Sequence, residues 1–219
     1  DHTWPVVSYA TLFKVGSVYE KEGSTGIAHL LEHLTFKGTE RYGPKEFFKI
    51  LESKGATVNA FTQRDTTIYY ELISAKHLEL VIDMESDRLK NLHFTDADVD
   101  AERKIVKEER RLRIESNFFA QQMEELQRLS FPVHPYGQSI IGSMSDLDKL
   151  STSTIQDFFN TYYQPGNIII VIAGDFNYQQ TKLWITKYYG SIAGRKVKPP
   201  QIVDEPQQNA EKRIEMIRP

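Results

Sequence analysis

Two imidazoles four residues apart, with a carboxylate between them, stand in His29-Leu30-Leu31-Glu32-His33. On an α-helix, residues i and i+4 project from one face, so His29 and His33 can present their rings to a single cation. Glu32, one residue before His33, lies beside that cation rather than behind it. The order His-x-x-Glu-His is the inverse of the commoner zinc-peptidase motif. The chemistry it suits is metal-assisted hydrolysis, with the imidazoles as ligands and Glu32 as the general base that takes a proton from water. The competing reading is two unrelated histidines on a polar helix face. Against it stand Ile27, Leu30, Leu31 and Leu34, which anchor the other side of the same helix in a core.

A catalytic zinc takes three protein ligands and keeps one position for water. The third ligand must come from elsewhere in the chain. Cysteine is absent, which excludes thiolate ligands, disulfides and cysteine nucleophiles and leaves His, Asp or Glu.

The elements that must position these groups follow from periodicity and punctuation. Residues 6–15 alternate like a half-buried strand. Residues 16–26 form a loop with three glycines, and the motif helix runs over 27–36 at 3.6-residue spacing. Gly38 ends it. Pro44 opens the next helix and Gly55 closes it. Two strands, 57–62 and 66–74, are joined by the turn Gln63-Arg64-Asp65. Helices are predicted over 76–91, from an N-cap at Thr95 through 113, over 118–130, from Ser151 to Tyr162, and over 178–189. The run 168–173 reads as a buried strand, and 213–217 as the start of another. Strands and helices in unequal blocks point to an α+β fold.

The helix after Thr95 is charged almost throughout and contains Glu102-Arg103-Lys104-Ile105-Val106-Lys107-Glu108-Glu109. With that string added to the motif, the sequence resembles the pitrilysin, insulysin and mitochondrial processing peptidase family of inverted-motif zinc peptidases. The resemblance implies that Glu109, 76 positions beyond His33, is the third zinc ligand. It also implies that Glu102 belongs to the catalytic apparatus, supporting the site from behind the ligands. Seven residues are nearly two turns, so Glu102 and Glu109 share a face. Glu108 reads as solvated. The flanks Gly23–Gly26 and Thr35–Thr39 fit the family, as does the segment Gly55–Thr62. In relatives that strand lies beside the zinc and takes substrate as an added β-strand, which makes Asn59 and Ala60 the expected peptide contacts. His134-Pro135-Tyr136-Gly137 and Tyr163-Gln164-Pro165-Gly166-Asn167 also fit and read as structural. His2, His77 and His93 have no metal-like spacing. The resemblance covers 6–189.

It implies a zinc metalloendopeptidase acting on peptides or unfolded segments. The fold implied is a mixed, mainly antiparallel sheet packed on helices, one half of a two-domain clamshell. Residues 1–190 are the expected zinc-binding domain, and 191–219, rich in Pro, Gln and Lys, a linker leading to a following domain. The first strand expected before Val6 is absent or short. The expected partners are a peptide substrate and a second homologous domain or subunit, in a homo- or heterodimer, which supplies a Tyr and often an Arg. A bacterial periplasm or cell envelope is the setting the resemblance suggests.

Two rivals carry discriminating features. A non-catalytic partner subunit keeps the fold and loses the motif, whereas every motif position here is intact. Quorum-sensing lyases share the His-x-x-Glu-His helix but need cysteines. With 27 basic against 30 acidic residues among 219, the formal net charge of −3 gives no footprint for nucleic acid. No apolar run approaches the roughly 20 residues of a membrane span.

Overall fold

The computed structural model describes residues 2–217. Four strands, β1 (Val6–Phe13), β2 (Thr57–Thr62), β3 (Thr67–Ser74) and β4 (Ile168–Gly174), form one antiparallel sheet in the order β2-β3-β1-β4. Among the described residues eight α-helices accompany it: α1 (Ile27–Leu34), α2 (Glu46–Glu52), α3 (Leu78–Asn91), α4 (Asp96–Arg110), α5 (Phe118–Ser130), α6 (Met144–Lys149), α7 (Thr152–Tyr162) and α8 (Tyr178–Tyr189). The α+β expectation holds. None of these helices is long and apolar enough to cross a membrane.

The alternation on β1 has the consequence its period dictates. Val7, Tyr9, Thr11 and Phe13 are buried, and the residues between them are not. One cluster packs Val7, Tyr9 and Ile73 of the sheet against Phe47 and Leu51 of α2 and Leu78, Val81, Ile82 and Met84 of α3. A second packs Phe13 and Tyr69 against Leu30, Leu31 and Leu34 of α1, Val99 and Val106 of α4, and Ile155, Phe158 and Phe159 of α7.

Helix α1 has eight residues, too few to persist alone in water, where even good helix formers need about 12–15. Tertiary contacts hold it. Leu30, Leu31 and Leu34 have no solvent exposure, and burying each contributes roughly 1.5–3 kcal/mol. Gly26, its N-cap, has no side chain to accept a hydrogen bond. Glu20 substitutes, its carboxylate accepting from the backbone N–H of Gly26 at 2.9 Å and of Ala28 at 3.0 Å. Burial pushes the Glu20 carboxyl up to about 8 against the pull of those two donors. Gly26 itself sits at φ +87, and a Cβ there would stand 2.6 Å from the carbonyl oxygen of Ile141. The start of the helix is therefore locked against residues 141–142 by a contact only glycine permits.

A charged cluster lies under the sheet. Arg88 of α3 donates to both oxygens of Glu85 at 2.6 and 2.7 Å, and its guanidinium lies 4.2 Å from the ring centre of Tyr69, 4.6 Å from that of Phe47 and 5.1 Å from that of Phe36. Glu71, fully buried on β3, has no donor to either oxygen. Burial, then the charge of Glu85, raise its carboxyl well above the usual range.

Most predicted boundaries lie within two residues of the observed ones, with three departures. Pro44 precedes α2 rather than occupying its first turn, because Lys45 takes φ +67 and the helix begins at Glu46. Helix α6, capped by Ser143, was not predicted. Residues 213–217 form no strand, and the segment 191–217 has no regular structure.

Gly26→Ala is expected to cost about 1–3 kcal/mol more than Gly23→Ala. Both positions have positive φ, but a Cβ at Gly23 meets nothing within 4 Å; equal urea midpoints for the two variants would contradict the locking contact. Glu71 makes a second test. Above about pH 4.5 the unfolded chain loses the Glu71 proton while the folded chain keeps it, so this residue lowers stability as pH rises towards the folded pKa. Glu71→Gln is expected to remove that decline, read as a smaller loss of stability between pH 5 and pH 8 than in the parent chain.

Candidate metal centre

The motif helix presents what its spacing promised. The rings of His29 and His33 lie with centroids 4.8 Å apart on the side of α1 opposite its buried leucines. Helix α4 crosses α1 and brings its carboxylates to that side. Its start is fixed by a capping box, in which Thr95 and Asp98 satisfy each other's backbone N–H groups. Buried Val99, Glu102 and Val106 mark the stripe that faces the core, and Glu109 lies seven residues beyond Glu102.

Glu109 Oε2 stands 3.5 Å from His33 Nε2 and 3.8 Å from His29 Nε2. One ligand atom from each of His29, His33 and Glu109 lies within 4.8 Å of the other two, and among the described residues this is the one group of three or more His, Asp or Glu so placed. Ligands on a tetrahedral zinc at 2.0–2.1 Å are separated by roughly 3.3 Å. Small side-chain adjustments therefore suffice, and the two-imidazole, one-carboxylate donor set suits zinc and leaves a fourth position open.

The surroundings orient the three. Glu102 Oε2 takes a hydrogen bond from His33 Nδ1 at 3.1 Å, which turns Nε2 towards Glu109. Lys37 holds the other Glu102 oxygen at 2.7 Å. Arg113 pairs with Glu109 Oε1 at 2.9 Å, leaving Oε2 to face the histidines. Arg113 is on a π-helical turn, Arg111–Glu115, that follows α4 directly. His29 has no such support, since its Nδ1 is buried without a partner.

Charge follows geometry. Burial, then the neighbouring His33, lower His29 to about 4 against the pull of Glu109. Burial would depress His33 as well, but the hydrogen bonds it donates to the carboxylates of Glu102 and Glu109 outweigh it and raise the ring to about 9. Hydrogen bonding to His33 holds Glu109 below the usual carboxylate range. Burial raises the Glu32 carboxyl, opposed by a hydrogen bond from the Thr62 hydroxyl of β2.

The two imidazoles, Glu32 and Glu109 open into one cleft of about 850 Å³, which Asn59 and Ala60 of β2 also line. Glu102 lies behind His33, at the wall of a smaller cavity of about 340 Å³ that Phe36 and Phe48 also line. Strand β2 is a sheet edge, paired only with β3 among the described strands. The Asn59 side chain accepts from the Ala60 N–H at 2.8 Å. His134 is elsewhere, accepting from Tyr136 N–H at 3.1 Å and packed on Phe131 and Tyr136. Sequence reasoning missed Thr62, Lys37 and Arg113. Lys37 and Arg113 each follow a candidate ligand, His33 and Glu109, by four residues, a helical spacing that was there to be used. The reach from Thr62 to Glu32 had no local sign.

Comparison with known proteins gives the following. The sequence model of the family described as Insulinase (Peptidase family M16) matches residues 1–143, and that of the Peptidase M16 inactive domain matches residues 149–219. The zinc protease PqqE of Helicobacter pylori is 32% identical over 206 residues, 93% of this chain and 46% of that protein. The mitochondrial-processing peptidase subunit beta of Caenorhabditis elegans is 31% identical over 177 residues, 81% of this chain and 38% of that one. The crystal structure of a protease from Helicobacter pylori superposes with a TM-score of 0.91 at 32% identity, covering 95% of this chain and 51% of the other. The chain thus spans about half the length of these relatives, or less.

Glu102→Gln is expected to weaken zinc affinity by roughly 10–100-fold, as loss of a group that orients a ligand does. Competition with a chromogenic chelator measures it, and an affinity unchanged within twofold would rule out the orienting role.

Proposed function

The chain belongs to the insulinase family of peptidases, M16, and we propose that it is the metal-binding half of a zinc metalloendopeptidase. His29, His33 and Glu109 would hold the ion. Bound there, zinc supplies Lewis acidity, acidifying water from a pKa of 15.7 to about 7 and polarising a carbonyl.

Glu32 handles the proton. Its carboxylate lies at the cleft floor, 8% exposed, one residue from a ligand and held by the Thr62 hydroxyl. Burial makes it a better base than an exposed glutamate. It accepts a proton at a carboxylate oxygen as water attacks the scissile carbonyl, and returns it to the nitrogen of the leaving amine. Glu102 keeps His33 in the tautomer that leaves Nε2 free for the metal.

Strand β2 receives the peptide. Its unpaired edge offers backbone N–H and C=O groups to an extended segment, a mode that is tolerant of sequence. Asn59 and Ala60 contact the substrate near the bond to be cut. A folded substrate would need a segment free to extend, so peptides and unfolded stretches are the class taken. A second homologous half, in the same polypeptide or as a subunit, closes the cleft and completes stabilisation of the transition state. Residues 1–190 form the zinc-binding unit and 191–219 lead to that second half.

The observation that carries this reading is the convergence of His29, His33 and Glu109 at the floor of a cleft whose wall is an open strand edge. Glu32→Gln is expected to retain stoichiometric zinc and lose at least about a hundredfold in peptide hydrolysis. His33→Ala is expected to lose both. Zinc content by atomic absorption and cleavage of a quenched fluorescent peptide library are the measurements. Equal zinc loss in the two variants would contradict the division of roles.

A further inference from the structure

Strand β2 ends in a turn that the rest of the fold clamps. The Gln63 N–H donates to the Thr66 carbonyl at 2.7 Å and closes the turn. From the other side, the N–H groups of Ser17 and Val18 donate to the carbonyls of Gln63 at 3.1 Å and of Arg64 at 2.9 Å. Ser17 and Val18 are buried. The approach is so close that a Cβ on Gly16 would stand 2.3 Å from the Gln63 oxygen and 2.5 Å from that of Arg64. Residue 16 must therefore lack a side chain, and the backbone of Arg64 is fixed before any ligand arrives.

The Arg64 side chain is half-buried and lines the main cleft. Its Nε donates to the Tyr136 carbonyl at 3.4 Å, and its guanidinium lies 5.7 Å from the centre of the Tyr136 ring. Its two terminal nitrogens have no acceptor among the described residues. The neighbouring acid does not neutralise it, because Asp65 takes the Tyr136 hydroxyl at 2.7 Å instead. The acids of the cleft are engaged as well. Glu124 accepts from two guanidinium nitrogens of Arg110, each at 2.9 Å, Glu109 faces Arg113 and the histidines, and Glu32 takes the Thr62 hydroxyl. Of the two arginines lining the cleft, Arg113 thus has a carboxylate and Arg64 has none. A guanidinium presents its donors as a planar fork that fits a carboxylate with two parallel hydrogen bonds. A preset fork without a counter-charge, in a cleft wall, suits an anion that the ligand brings.

The sheet fixes where on a peptide that anion lies. All its pairings are antiparallel, so a segment that extends it runs opposite to β2 and lays its N-terminal side past Thr62 towards Arg64. Arg64 stands four positions beyond Ala60, about 13 Å of extended chain. A terminal carboxylate lies at the other end of a peptide so placed and cannot reach it. We infer that Arg64 binds the side-chain carboxylate of an Asp or Glu on the N-terminal side of the scissile bond, within about four residues of it, and gives the cleft a preference for acidic peptides. The inference rests on the reading of β2 as the peptide strand and adds a substrate class to it.

The probes are fluorescein-labelled peptides of about ten residues, of one uncharged sequence with Glu, Gln or Lys at a single central position. Fluorescence anisotropy follows their binding to the zinc-loaded Glu32→Gln protein, expressed from its full reading frame, so that affinity is read without cleavage. The Glu peptide is expected to bind at least about fivefold more tightly than the Gln peptide. Adding Arg64→Gln is expected to bring the two within about twofold, and adding Arg64→Glu to favour the Lys peptide. Equal binding of the Glu and Gln peptides with Arg64 in place would overturn the inference, as would a preference that survives Arg64→Gln. Arg64→Lys keeps the charge and loses the fork, and serves if Arg64→Gln does not fold. A weakened preference is then expected, and an undiminished one would overturn the role of the guanidinium. In the protein with Glu32 intact, mass spectrometry of the cleaved Glu peptide is expected to find Glu on the N-terminal fragment, and the opposite result would overturn the placement. A preference for Glu in a protein that cuts no peptide would refute the peptidase reading and leave this one standing. Cleavage without the preference would do the reverse.

Discussion

Every group at the candidate metal centre depends on the anchoring of an eight-residue helix by one of its sides. Helix α1 is too short to form by propensity, yet it must hold two imidazoles and a carboxylate in fixed relation. The fold achieves this by burying Leu30, Leu31 and Leu34 completely and by tying both ends. Glu20 caps the start, Gly26 and Gly142 interlock there, and the last turn runs into a 3₁₀ turn that carries Lys37 to Glu102. The polar side can then be arranged for chemistry, because the apolar side has already fixed the backbone.

Electrostatics at the centre expresses the same division. Four ionisable groups, His29, His33, Glu102 and Glu109, lie within a few ångströms, and without an ion they compensate one another imperfectly. His33 is drawn towards its charged form by two carboxylates while His29 is driven to neutrality. A divalent cation would replace the proton on His33 and neutralise Glu109, and for that reason its binding is linked to proton release. The Glu71, Glu85 and Arg88 cluster is separate. It sits beneath the sheet, and Arg88 stacks against Phe36, one turn beyond the motif, so the floor of the smaller cavity rests on a buried charge.

How much of this was legible in the sequence follows from range. Helices α1, α5, α7 and α8 and strands β1 and β2 carry period, caps and turns within their own residues, and those local signals specify them. Helix α6, with six residues, is too short to show a period. The left-handed Lys45 and the π turn after Arg110 arise from the accommodation of neighbouring segments, which no local pattern records. The pairing of His29 with His33 was readable because four residues is a helical distance. The arrival of Glu109 was not readable from its own helix, where acidic residues are common. It needed the family resemblance, and the crossing of α1 by α4 is what brings it within 3.5 Å of His33.

The open edge of β2 has a further consequence. A strand with one side unpaired, no charge and no proline in Thr57-Val58-Asn59-Ala60-Phe61-Thr62 discriminates little between a visiting peptide and the same strand of another molecule. Most folds blunt such an edge with lysine or a bulge, whereas here the cover includes only a side-chain acceptor, Asn59, on the Ala60 N–H. The feature that would make the cleft receptive also makes it the place where aggregation would start. What covers this edge therefore bears directly on how the chain behaves as its concentration rises.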